Sequence, residues 1–179
     1  MNLKIINEAE VTSELDLEIK EALCRCFPGD AEIFSRSRAW HGSAPAWSVI
    51  MVDNNRIAVH AGIVDRTVKV GETFVRVAGI QNVFVLPEYR GMGLCEKVMA
   101  AAMQEAEKRN FDAGLLYCVP KLEKVYAKCG WRLLPERKII RIDENSKHIP
   151  LPAKNITMVF PLKVREFPDG IINLQGNDW

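Results

Sequence analysis

Between residues 13 and 26 the apolar side chains fall at Leu15, Ile19, Ala22, Leu23 and Cys26, which is one face of a helix. Ser13 is the predicted N-cap, with Asp16 in the first turn. Phe27-Pro28-Gly29-Asp30 ends this helix, and Asp30 is placed to cap a shorter one through Ile33 and Phe34. The stretch HGSAPA between Trp40 and Trp47 reads as loop. From Trp47 the period changes to two. WSVIMVD, a turn at Asp53-Asn54-Asn55, RIAVHAGIVDRTVKV, a turn at Gly71-Glu72 and TFVRVAGIQNVFV predict an antiparallel meander. A helix follows from Leu94, with the stripe Met99, Ala102, Met103 and Ala106 and a favourable Glu105–Arg109 pair. Then come a buried strand, AGLLYCV, and a short helix with Pro120 at its start and Gly130 beyond its end. Its stripe is Leu122, Val125, Tyr126 and Cys129. Strands around WRLLP and NITMVFPL complete the pattern, separated by a polar loop over 143–155. The order predicts an α+β fold, a mixed and mostly antiparallel sheet flanked by about four helices.

Composition narrows the function. A chain of 179 residues, 48% of them hydrophobic, suits one domain over 1–179 with a sizeable core. The formal net charge of +1 gives no global field to hold a polyanion, so nucleic acid is not an expected partner. MNLKIINEAE alternates without an apolar h-region, and the longest apolar run, Val98 to Met103, cannot span a bilayer. No membrane role is expected. The five cysteines form no C-x-x-C pair and have no histidine at ligand spacing, which predicts free thiols, no metal and a cytoplasmic location.

The segment that carries chemistry is the strand Val83-Phe84-Val85 running through Arg90-Gly91-Met92-Gly93 into the helix at Leu94. A helix N-terminus offers unpaired N–H groups and partial positive charge, and so suits a phosphate or diphosphate. Glycines let the backbone approach the anion, and Arg90 adds a cation. An ordinary strand-to-helix turn would use glycine in the same places, so the loop alone leaves both readings open.

VFVLPEYRGMGL, followed by KVYAKCGW, resembles the Gcn5-related N-acetyltransferase (GNAT) superfamily. Its Arg/Gln-x-x-Gly-x-Gly/Ala motif falls on Arg90, Gly93 and Cys95, with Cys95 departing from the small residue usual there. The resemblance implies the GNAT fold and acetyl-CoA as co-substrate. Val83, Phe84 and Val85 would hold the pantetheine arm along an opened strand edge. The N–H groups of Arg90, Gly91, Met92, Gly93, Leu94 and Cys95 would take the diphosphate, and one near Val83 or Phe84 would polarise the thioester. Tyr126, ahead of Lys128, Gly130 and Trp131, would protonate the departing thiolate. A phenol, with a pKa of about 10, is protonated at neutral pH.

A finer similarity runs to the aminoglycoside 2′-N-acetyltransferases through IAVHAGIVDR, GIQNVFV, NITMVFPL and the closing Gly176-Asn177-Asp178-Trp179. That branch carries a glutamate base where this chain has Gln81, which cannot take a proton. Gln81 would then orient water or substrate, and His60 is the candidate substitute base. A lone strand histidine is also a common structural residue. Asp30 and Trp179 are candidate contacts to a cationic acceptor. IAVHAGIVDRTVKVGETFVRVAG resembles the nodulation N-acyltransferases, which implies a longer acyl donor on an amino sugar. The expectation is therefore an N-acetyltransferase acting on a small amine, with a longer-chain acyltransferase or a non-catalytic acyl-CoA sensor as alternatives. Monomer and homodimer both stay open.

Overall fold

In a computed structural model, residues 1–143, 145–151 and 154–179 are described. Chain order gives β1 (Asn2–Asn7), α1 (Ser13–Cys26), α2 (Ala31–Arg36), β2 (Trp47–Asp53), β3 (Arg56–Val70) and β4 (Thr73–Val85). After these come α3 (Leu94–Lys108), β5 (Ala113–Cys118), α4 (Glu123–Lys128), β6 (Arg132–Leu133), β7 (Ile139–Ile142), β8 (His148–Pro150), β9 (Ile156–Pro161) and β10 (Ile172–Asn173). The class is α+β, one mixed sheet with helices on its faces.

The β2–β3–β4 meander follows the alternating pattern, with tight turns where the sequence has Asn and Gly. Asn54 and Asn55 take φ of 47° and 62°, and Gly71 takes 56°, the left-handed region that a tight hairpin needs. β3 is long enough to serve two partners on one edge. Its first half pairs with β2, and Lys69 and Val70 pair with β10. On its other edge it pairs with β4 along most of its length. β4 runs parallel to β5 from Val77↔Ala113 to Ile80↔Leu116, and β5 continues antiparallel to β9.

Three apolar clusters sandwich this sheet. α3 lays Val98, Met99, Ala102, Met103 and Ala106 on one face beside Trp131 and Tyr126. α1 and α2 cover Ile50, Ile57 and Phe84 with Ile19, Leu23 and Phe34. The third cluster joins Val64, Val68, Val77 and Leu115 to Ile172, Leu174 and Trp179 near the end of the chain.

Several expectations are corrected. Thr12, not Ser13, caps α1, its hydroxyl accepting from the Leu15 N–H at 3.3 Å. Asp30 does open α2, yet its side chain makes no capping bond. The alternation in residues 2–7 is a strand, β1, paired to β2. Pro120 starts a 3₁₀ turn, Pro120–Leu122, that precedes α4. Part of the region expected as polar loop is strand, because β8 pairs with β7. Glu144, Pro152 and Ala153 of that expected loop lie outside the described residues. Among the described residues no helix is long and apolar enough to cross a membrane.

Candidate active site

The parallel pairing of β4 and β5 stops at Ile80↔Leu116, although β4 continues to Val85 and β5 to Cys118. Past that point the strands splay. On the other side of β4 the register changes: Gly62 faces Gln81, whereas His60 faces Phe84. One extra residue is thus inserted in β4, a bulge centred on Asn82, whose φ is 54°. Asn82 is held from both ends. Its Nδ2 donates to the Arg38 carbonyl at 2.6 Å, and its own carbonyl is 2.9 Å from His60 Nδ1. The bulge and the splay together leave the edge of residues 83–85 without a strand partner.

That edge forms one wall of a cleft of about 500 Å³. Of the nine residues expected to hold coenzyme A, all except Met92 line it; the Met92 side chain stands in solvent. Gly91 and Gly93 take φ of 78° and 69°, and Gly93 is the N-cap of α3. These turns need glycine for conformation, since a Cβ at either position would meet open space. The first N–H groups of α3 then point out of the helix at the cleft mouth. Arg90 donates from Nε to the Val85 carbonyl at 3.1 Å, so the cation is tethered to the open edge. Lys124 and Lys128 of α4 also line the cleft, a basic contribution the motif did not announce. An anionic co-substrate with a strand-like arm fits this set.

Tyr126 lines the same cleft from α4 and is 8% exposed. Among the described residues its hydroxyl has no hydrogen-bond partner. Burial is the main influence on it and pushes its ionisation above the usual phenol range, with Cys95, Cys118 and Cys129 adding to the effect. The group is therefore a held proton facing the cleft.

The structure does not bring the other catalytic candidates into the cleft. Gln81 is buried and fully engaged: Nε2 donates to the Ser43 carbonyl at 2.7 Å, and Oε1 accepts from the Trp40 N–H at 3.1 Å. It latches the turn Trp40–Ser43 to β4. His60 sits within β3, off the cleft lining. It is buried, Nδ1 meets the Asn82 carbonyl, and Nε2 is 3.1 Å from Ser48 Oγ. Burial pushes it down to about 4, which keeps it neutral at physiological pH. Asp30 lies at the α1–α2 junction, close in sequence to the cleft residue Phe27 but off the lining. Trp179 is buried. It packs on Tyr117 with ring centroids 5.8 Å apart and sits where a Cβ at Gly79 would otherwise lie.

His41 lies in the HGSAPA stretch, which reads as loop in sequence. Its Nδ1 lies 2.9 Å from Asp178 Oδ1, and Arg141 Nη1 reaches the same oxygen at 3.0 Å. The two partners are far apart in sequence, and no local pattern links them. Among the described residues no group of three or more His, Cys, Asp or Glu is arranged to hold a metal ion.

A splayed β4–β5 pair, a bulge beside it and a glycine-turned helix N-terminus define an acyl-CoA-binding transferase fold. A GNAT family N-acetyltransferase from Escherichia coli (YhbS), solved in complex with CoA, has this fold with a TM-score of 0.68. It is 15% identical and covers 98% of this chain and 91% of its own. The acetyltransferase (GNAT) domain family matches residues 10–134, and this chain belongs to it. Nodulation protein A of Bradyrhizobium sp. (strain NC92) is 33% identical over 155 residues, 80% of this chain and 72% of that protein. Nodulation protein A of Sinorhizobium terangae is 35% identical over 78 residues, 42% of this chain. The chain spans 40% of that relative's length.

Proposed function

We propose that this chain moves an acetyl group from acetyl-CoA to a primary amine of a small, cationic or amino-sugar acceptor by direct attack. One observation carries the reading: the open edge of residues 83–85, the glycine turn and the Tyr126 hydroxyl all face one cleft. The pantetheine arm lies along the open edge as an added strand would, and the N–H groups from Gly91 to Cys95 take the diphosphate beside Arg90. A backbone N–H at Val83 or Phe84 polarises the thioester carbonyl as charge develops on its oxygen. The amine attacks, the carbon–sulfur bond breaks, and Tyr126 gives its proton to the departing thiolate. Trp179, packed at Gly79, is the proposed contact to the acceptor.

The likeness to Nodulation protein A, with the apolar rim of Leu122 and the exposed Val125, supports a second reading in which the donor carries a longer acyl chain. Calorimetry with CoA, followed by mass analysis of product from acetyl-CoA and dodecanoyl-CoA with a primary-amine panel, tests both. Transfer of acetyl alone is the expected result. Tyr126→Phe is expected to lower kcat by about a hundredfold with acetyl-CoA binding unchanged. Wild-type turnover in that variant would remove Tyr126 from the acid role. Tight CoA binding with no product from any amine would favour a sensor.

A further inference from the structure

The mechanism above has an acid but no base, because Gln81 and His60 are both committed to structural hydrogen bonds. The turn that Gln81 holds carries a different titratable group. Trp40 N–H and the Ser43 carbonyl are the two anchors on Gln81, and His41 is the next residue after the first anchor. His41 therefore follows directly on a residue that the buried Gln81 side chain ties to β4.

We propose that His41 is the general base of the transfer and Asp178 its positioning partner. The inference rests on the acyl-transfer reading. Asp178 is buried and faces Nδ1 at 2.9 Å, which fixes the tautomer with Nε2 as the proton acceptor. Among the described residues no hydrogen bond occupies Nε2, and the side chain is 38% exposed, so a substrate can reach it. The backbone at His41 takes φ of 44°, a left-handed conformation unusual for a residue with a Cβ. Trp40 packs against the imidazole at a tilt of 37° with ring centroids 4.6 Å apart and limits its rotation. Trp40 continues to Phe34 at 5.5 Å and Phe34 to Phe27 at 5.7 Å, and Phe27 lines the coenzyme cleft. An aromatic row thus runs from the imidazole to the cleft wall.

The charged groups packed around the imidazole come from three elements. Asp178 belongs to the tail, Arg141 reaches it from β7, and Arg66 of β3 bonds the Ser43 hydroxyl in the same turn at 3.3 Å. Asp178 is thereby held between Arg141 and His41. In the reaction Nε2 takes one proton from the acceptor ammonium, and the freed amine lone pair forms the bond to the acyl carbon. Tyr126 supplies the proton to sulfur. The second nitrogen proton leaves as the tetrahedral intermediate collapses and restores the Tyr126 hydroxyl, so the products are amide, CoA thiol and the one proton that His41 then releases to solvent.

The test compares the wild-type chain with His41→Gln, His41→Gly and Asp178→Asn. Glutamine keeps a donor toward Asp178 but cannot carry the proton, and glycine suits the positive φ. Both variants are expected to melt near the wild type and to bind acetyl-CoA equally by calorimetry. With a primary-amine acceptor, kcat is expected to fall about a hundredfold or more at neutral pH in His41→Gln. The gap should narrow as pH rises until the amine is free in solution, and added imidazole should restore turnover to His41→Gly. Asp178→Asn should show a smaller loss. Unchanged kcat and pH profile in both His41 variants would overturn the base assignment alone. No turnover by the wild-type chain on an amino sugar, an aminoglycoside or a polyamine, with acetyl-CoA still bound, would refute the transfer reading and the base with it.

Discussion

Replacing Gln81 by glutamate is the most informative change to the latch under the Trp40–Ser43 turn. The side chain is 4% exposed and uses its amide as both donor and acceptor. Glutamate keeps the acceptor for the Trp40 N–H but sets a carboxylate oxygen against the Ser43 carbonyl, where a donor stood at 2.7 Å. The change loses one hydrogen bond and sets one oxygen of a buried charge against a carbonyl, a cost of about 2–4 kcal/mol near neutral pH. For a chain of this length that lowers Tm by roughly 4–16 °C. Burial and the facing carbonyl raise the introduced carboxyl's folded pKa above its unfolded value. The protonated form can donate to Ser43, so stability should be near wild type below the unfolded pKa of about 4.3 and fall as pH rises through the higher folded value. Thermal melts of both proteins from pH 4 to 8 measure this. A variant as stable as the wild type at pH 7, with new activity on an aminoglycoside, would refute the latch and restore position 81 as the seat of the base.

Gly79→Ala places a methyl group inside the Trp179 indole and should cost about 1–3 kcal/mol by overpacking, read from urea unfolding. Gly93→Ala keeps open space but strains a backbone at φ of 69°, so CoA affinity by calorimetry should drop with a loss of about 1 kcal/mol in stability. His60, pushed down to about 4 in the fold from an ordinary 6.5, contributes stability that is present above 6.5 and lost as pH falls towards 4. That loss is on the order of 3 kcal/mol, and a His60→Gln chain should show a correspondingly flatter acid profile in urea titrations.

The residues lining the cleft were legible because their signal is local. A strand, a glycine turn and a helix start follow one another from Val83 to Leu94, and the periods of β4 and α3 place them without knowledge of the rest. Tyr126 was legible through the motif around Gly130, although its helical stripe alone reads as core. The short strands β7, β8 and β10 were not, since each is fixed by pairing at long range rather than by its own pattern. The same holds for the acceptor side. His41 gains its role from Asp178, and Gln81 gains its role from Ser43, contacts that no periodicity announces. His60 misled for the opposite reason. Its residue type suggests proton transfer, while its neighbours Ser48 and Asn82 assign it to the ladder.

The single additional residue in β4 works as a phase shifter between two halves of one hairpin. Below it the strand obeys the alternation set by the turn at Gly71; above it, inward and outward are exchanged. Excising Asn82 would mend the ladder with β3 and keep Phe84 and Val85 opposite His60 and Val59, but the kink would go, turning a receptive edge into ordinary sheet. Length, rather than any one side chain, is what this chain guards at that point.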